Sequence, residues 1–243
     1  QCPQVHEYPY PRDLLKENTD RIAYWSDLLF RRYNKPNLVG EFGKYLYEEG
    51  KSETFLHNGI WAGLMSGVCV TPLHWWGGQI ASRPENFSTF TLKMMQQLQF
   101  LGKFTDSTDM AEHNFTSLYS APEGHRITLS GMPEGKVYGL KGDSTGMCWV
   151  YHYSEYSTES FSGVGVSFPD LPEGRYRISF YDTWEGEWLE ESVAETAGGS
   201  LDFVCPDFTA DLAVKMEYAG PAGPNASRSD PEAELKVFPN PCN

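Results

Sequence analysis

The feature that most constrains this chain is a change of texture between residues 105 and 126. Before it, short apolar runs alternate with longer stretches whose apolar residues recur at helical spacing; after it, strand-like runs recur at short intervals with turn residues between them. Alternating β and α elements favour parallel strands joined by helical crossovers, whereas many short strands without helices favour an antiparallel β-sandwich. The expected fold class is therefore α/β plus all-β. Residues 1–104 form the α/β unit and residues 105–218 the sandwich. A tail from 219 to 243 opens on an Ala-, Gly-, Pro- and Ser-rich linker.

In the first unit Gln4-Val5-His6-Glu7-Tyr8 predicts a strand. Residues 13–32 predict a helix with a stripe of Leu14, Leu15, Ile22, Trp25, Leu28 and Leu29. Asn37-Leu38-Val39-Gly40 predicts a second strand, 53–66 a helix and 68–75 a third strand. A last helix over 85–101 has Phe87, Phe90, Met94, Leu98 and Leu101 on one face. Gly59, Gly63 and Gly67 recur every fourth residue, which predicts a bare helix side packed against the sheet. No G-x-G-x-x-G or P-loop pattern opens that helix, so a phosphate loop is not expected. In the second unit strands are predicted over 137–140, 147–153, 164–168, 176–181, 187–192, 201–205 and 212–217.

The 19 Lys and Arg against 33 Asp and Glu give a net charge of −14, which argues against a nucleic-acid partner. Apolar residues make up 40 % of the chain, enough for a core, yet no run approaches the ~18 residues of a membrane span. Gln1 is not followed by the charged-then-apolar pattern of a signal peptide. The five cysteines contain no C-x-x-C pair, so neither a zinc site nor a disulfide framework is expected. No metal or cofactor is implied. Cys148 and Cys205 both fall in strand-like segments, and both a single bridge and two buried thiols remain open.

Glu41 is the carboxylate best placed for chemistry, where an apolar strand meets a Gly-containing loop between Gly40 and Gly43. Functional side chains of parallel α/β barrels collect at the C-terminal ends of strands. His6 and Tyr8 end the preceding strand on one face while Glu7 faces away, and Trp75 and Trp76 close the following strand. A carboxylate beside hydrogen-bonding groups and an indole platform suits a sugar ring. Taken singly, each has a plainer role: Glu41 a solvated loop residue, His6 a strand-end histidine, the tryptophans core. His57 and Asn58 read as capping or packing groups, and Glu185, Glu187, Glu190 and Glu191 as a solvated face.

The combination resembles a known family. Pro36-Asn37-Leu38-Val39-Gly40-Glu41-Phe42-Gly43 resembles the seventh strand of cellulase-like clan-A glycoside hydrolases, (β/α)8 TIM barrels in which that glutamate is the nucleophile. Val5-His6-Glu7-Tyr8 is similar to their sixth strand, and the segment from His57 to Gly67 to their seventh helix. Thr71-Pro72-Leu73-His74-Trp75-Trp76 resembles the eighth strand, whose Trp stacks on the sugar; which of Trp75 and Trp76 does so stays open. The segments from Leu171 to Arg177 and from Tyr181 to Glu187 resemble a β-sandwich appended to such barrels. Leu235-Lys236-Val237-Phe238-Pro239-Asn240-Pro241 is similar to the start of a type IX secretion sorting domain.

The resemblance implies a secreted or cell-surface retaining glycosidase acting on a plant-type polysaccharide, with Glu41 as nucleophile, His6 and Tyr8 positioning it, and Trp75 or Trp76 holding the ring. It implies that this sequence supplies barrel strands six to eight and that the earlier barrel portion is its partner. The family's acid/base usually follows an Asn, and no Asn-Glu pair occurs in the sequence. The alternative is a non-catalytic carbohydrate-binding or surface-adhesion protein that keeps the barrel platform without its chemistry.

Overall fold

The computed structural model describes residues 3–7, 15–42, 51–67, 89–153 and 158–223. The first part runs β1 (Gln4–Glu7), α1 (Leu15–Tyr33), β2 (Leu38–Phe42), α2 (Lys51–Leu64) and α3 (Thr89–Asp106). β1 and β2 pair in parallel, as alternation of strand and helix predicts. The predicted third strand over 68–75 lies outside the described residues.

The three helices pack in chain order, α2 between α1 and α3. α2 is buried on every side from Phe55 to Leu64, which its continuous apolar character permits. Part of the glycine ridge packs as expected: a Cβ on Gly59 would lie 2.0 Å from the Phe42 ring, so its absence lets α2 close onto β2. Gly67 instead lies beyond the helix, with φ +95° in the left-handed region that favours glycine at a helix end.

Two apolar stripes depart from their helical-wheel expectation. The buried side of α1 joins Ile22 and Ala23 to Ser26 and Asp27. Asp27 Oδ2 accepts from Arg31 Nε at 2.8 Å and from Ser120 Oγ at 2.6 Å, so its charge is partnered. On α3 the buried line is Met94, Gln97, Leu101 and Phe104, while Leu98 is 45 % exposed. Gln97 takes the inward place because a buried histidine of α2 needs it, as described below. Leu92 and Met95 are also exposed, giving α3 an apolar outer flank.

The second part carries β3 (Thr116–Ser117), β4 (Thr128–Ser130), β5 (Gly135–Lys141), β6 (Thr145–His152), β7 (Ser160–Phe161), β8 (Gly165–Leu171), β9 (Gly174–Asp182), β10 (Glu187–Thr196), β11 (Gly199–Val204), β12 (Phe208–Thr209) and β13 (Asp211–Gly220). All seven predicted strands are present, most of them longer than expected. A six-stranded antiparallel sheet has the order β10-β9-β13-β6-β5-β3, and a three-stranded one the order β11-β8-β4. Between them lies a core that includes Val150, Val166, Phe168, Ile178, Phe180, Leu201, Val214 and Met216.

Period-2 alternation sends the other face of the large sheet to the helices. Met147, Trp149 and Tyr151 of β6, Tyr181 of β9 and Ala213 of β13 join Ile22, Ile60, Trp61, Leu101 and Phe104 in one continuous core. β6 is therefore buried on both faces, which explains its unbroken apolar run Met147-Cys148-Trp149-Val150-Tyr151. Cys148 and Cys205 are free and buried. Burial pushes both thiols up, that of Cys205 to about 12.

Candidate active site

The β1–β2 pairing positions the predicted carboxylate. Gln4 faces Leu38 and Val5 faces Val39, but His6 then pairs with Glu41 and Glu7 with Phe42. The register slips by one residue, leaving Gly40 without a counterpart. Paired residues of adjacent strands share a face, so the slip puts Glu41 on the side of His6. Without it Glu41 would pair with Glu7, on the helix-facing side. His6 Nδ1 lies 3.2 Å from Glu41 Oε2, and the two side chains are 43 % and 30 % exposed. A Cβ on Gly40 would fall 2.9 Å from His6 Nε2, so the glycine gives the imidazole its place over the strand.

Glu7 faces away, as alternation predicts. Its carboxylate accepts from Arg21 Nε at 2.5 Å and from Trp25 Nε1 at 3.1 Å, tying β1 to α1. The structure thus brings together His6 and Glu41. Tyr8, Trp75 and Trp76 lie outside the described residues. Glu185, Glu187, Glu190 and Glu191 are exposed, as a solvated face requires.

His57 packs, as its sequence context indicates, but with more partners than packing needs. Fully buried, it stacks on Trp184 with centroids 3.9 Å apart and 15° between planes. Nδ1 lies 2.7 Å from Gln97 Oε1 and Nε2 3.1 Å from Asp211 Oδ1, so each ring nitrogen has a polar partner. Asp211 also accepts from Trp149 Nε1 at 2.8 Å, Trp184 Nε1 at 2.7 Å and the Thr183 hydroxyl. Burial alone would raise the Asp211 carboxyl, but the charge and hydrogen bond of His57, with those of Thr183 and Trp149, hold it below the usual carboxylate range.

A second node has the opposite polarity of ownership. Asp20 of α1 accepts from Lys136 Nζ at 2.5 Å, Tyr153 Oη at 2.6 Å, Tyr151 Oη at 3.4 Å and the Tyr138 hydroxyl. Burial first, then neighbouring charge, pushes the Tyr138 and Tyr151 phenols well up, so they remain donors. Sequence inspection missed both aspartates. Each sits at helical or strand spacing where a solvated carboxylate is the ordinary expectation, and the donors come from segments far along the chain.

Among the described residues no cluster of three His, Cys, Asp or Glu could hold a metal ion, and no helix is long and apolar enough to cross a membrane. No protein-family model and no curated protein sequence matches the chain. Solved structures do. One, a glycoside hydrolase, is 12 % identical with a TM-score of 0.53, matching 87 % of this chain and 48 % of its own. A glycoside hydrolase family 5 protein from Bacteroides vulgatus is 10 % identical with a TM-score of 0.53, matching 83 % of this chain and 45 % of its own. The chain has the fold of part of these proteins and spans about half their length.

Proposed function

We propose that this chain forms the nucleophile side of the cleft of a retaining β-glycosidase acting on a plant-type polysaccharide. The observation that carries the reading is the His6–Glu41 pair, held on one face of two parallel strands by the slip at Gly40. In the proposed reaction Glu41 attacks the anomeric carbon and forms a covalent glycosyl-enzyme, which water then hydrolyses; a second carboxylic acid protonates the leaving oxygen and later activates the water. His6 donates to Glu41 and holds it in line, Tyr8 adds a second hydrogen bond, and Trp75 or Trp76 stacks on the ring.

In this reading β1, β2 and the helices belong to the last three units of a (β/α)8 barrel, and the two antiparallel sheets form its accessory sandwich. The earlier units supply the acid/base and cover the exposed flank of α3 at Leu92, Met95 and Leu98. The tail motif beginning at Leu235 directs export. The test is hydrolysis of aryl β-glycosides by the natural full-length protein and its Glu41→Ala variant. Turnover that depends on Glu41 supports the reading. Unchanged turnover refutes the nucleophile, and glycan binding without turnover in either protein selects the non-catalytic alternative.

A further inference from the structure

A cleft of about 490 Å³, whose lining does not include Glu41, is formed by Ile127 and Leu129 of the edge strand β4 and its approach, by β5, and by Asp20 and Tyr119. That volume lies within the range of small-ligand sites. β3 covers only the far end of β5, pairing Thr116 with Lys141 and Ser117 with Leu140. Leu118 N donates to Gly139 O at 2.9 Å, so the main-chain groups of Gly139 point to the outer edge. Alternate residues of an antiparallel strand present N–H and C=O to the same edge. Those of Val137 therefore point into the cleft, with no backbone partner among the described residues.

The lining is apolar on one side and polar on the other. Ile127, Leu129 and Val137 form the apolar side. The Tyr119 hydroxyl has no hydrogen-bond partner among the described residues, and burial, with the charges of Asp20 and Asp27, raises its phenol, so it remains a donor. Lys136 also lines the cleft, its ammonium 2.5 Å from Asp20 Oδ2 and 3.4 Å from the Tyr153 ring centroid, and Arg126 is exposed there, its Nε donating to Ala121 O at 2.5 Å. The one lining carboxylate, Asp20, already accepts from Lys136 and three tyrosines. The Lys136 charge is balanced by Asp20, so Arg126 is the lining cation without a carboxylate partner among the described residues.

We infer that this cleft is a saccharide site, separate from Glu41, that takes an anionic sugar ring bearing a carboxylate or a sulfate. The C–H face of the ring lies on the apolar side. Ring hydroxyls meet the Val137 main chain and the Tyr119 hydroxyl, and the anionic group meets Arg126. No bond is made or broken.

Calorimetric titration of the 243-residue chain with glucuronic acid, glucose 6-sulfate, glucose and inorganic sulfate tests it. At least one anionic sugar is expected to bind about tenfold or more tightly than glucose and than sulfate, which sorts carboxylate from sulfate sources. Arg126→Gln should abolish that preference, Tyr119→Phe should weaken sugar but not sulfate, and Glu41→Ala should change neither. Equal binding of glucose and glucuronic acid, or sulfate binding as tightly as the sugars, overturns the inference. So does retention of the preference in Arg126→Gln, or displacement by an acidic hexapeptide that pairs with the open β5 edge.

Discussion

His57 and Asp211 stand 154 residues apart in sequence and meet at 3.1 Å in a fully buried contact between α2 and β13. The carboxylate comes from the sheet, where Trp149, Trp184 and Thr183 also donate to it, and the imidazole comes from the helices, where Gln97 holds its other nitrogen. Such a pair contributes little beyond what well-packed apolar residues would, but breaking it leaves an uncompensated buried charge.

Asp211→Asn keeps the shape and removes the charge. It should lower stability at neutral pH by about 2–4 kcal/mol in urea unfolding. The carboxyl is held below its ordinary value, so its contribution is present above the ordinary carboxylate range and is lost as pH falls through and below that range. The gap between parent and variant should therefore shrink as pH falls below about 4. A gap that is constant with pH would show that Asp211 acts through shape alone.

Lys215 of β13 is 4 % exposed, donates to Ser107 Oγ, and lies 4.7 Å from the Phe104 ring centroid and 5.2 Å from that of Trp188. Burial lowers its ammonium to about 8. Between pH 8 and its unfolded value of about 10.4 the unfolded chain holds the extra proton, so this group's linkage makes stability rise with pH. Lys215→Met should lack that rise, and its stability relative to the parent should fall by about 1–3 kcal/mol between pH 7 and pH 10 in denaturant titrations.

The same substitution should act differently at two glycines. At Gly59 a Cβ meets the fully buried Phe42 ring at 2.0 Å, and Gly59→Ala should cost about 1–3 kcal/mol of stability. At Gly40 it meets the half-exposed His6 ring, which can swing aside. Gly40→Ala should leave the melting temperature within about 3 °C of the parent and remove the His6–Glu41 contact, seen as a changed His6 Nδ1 signal in ¹⁵N NMR.

Glu41→Ala in the natural full-length protein should abolish turnover of activated aryl glycosides by about 10⁴-fold or more without lowering the melting temperature. Azide should restore part of it, yielding a glycosyl azide of inverted anomeric configuration, since the small anion fills the vacated space. A drop of less than tenfold would remove Glu41 from the nucleophile role.

Much of the fold was legible because its periodicities are local. The run from Met147 to Tyr153 announced a strand, and Gly59 announced a close helix approach. The partners of those faces were not legible. Trp149 and Tyr151 look like the inner face of a sandwich, yet they pack on the helices, because nothing local in a strand says which layer covers it. Leu98 and Gln97 exchanged their expected places on α3 for a similar reason: the demand of His57 for an acceptor comes from another element. At the site, Glu41 and His6 were visible from strand ends. The register slip that puts them on one face was not, since a bulge at Gly40 is a property of the pairing and not of either strand.

Asp211 also governs how such a chain can be inherited. A gene crossover near residue 106 would hand β13 to a descendant with its carboxylate buried and His57 gone, and would leave Lys215 without Ser107 if the joint fell a little later. The descendant would begin life short of several kcal/mol, comparable with the whole reserve of many domains. Strands and helices joined in this way are not interchangeable modules: a graft of either part keeps its stability only if the incoming partner again presents an imidazole or other donor to Asp211.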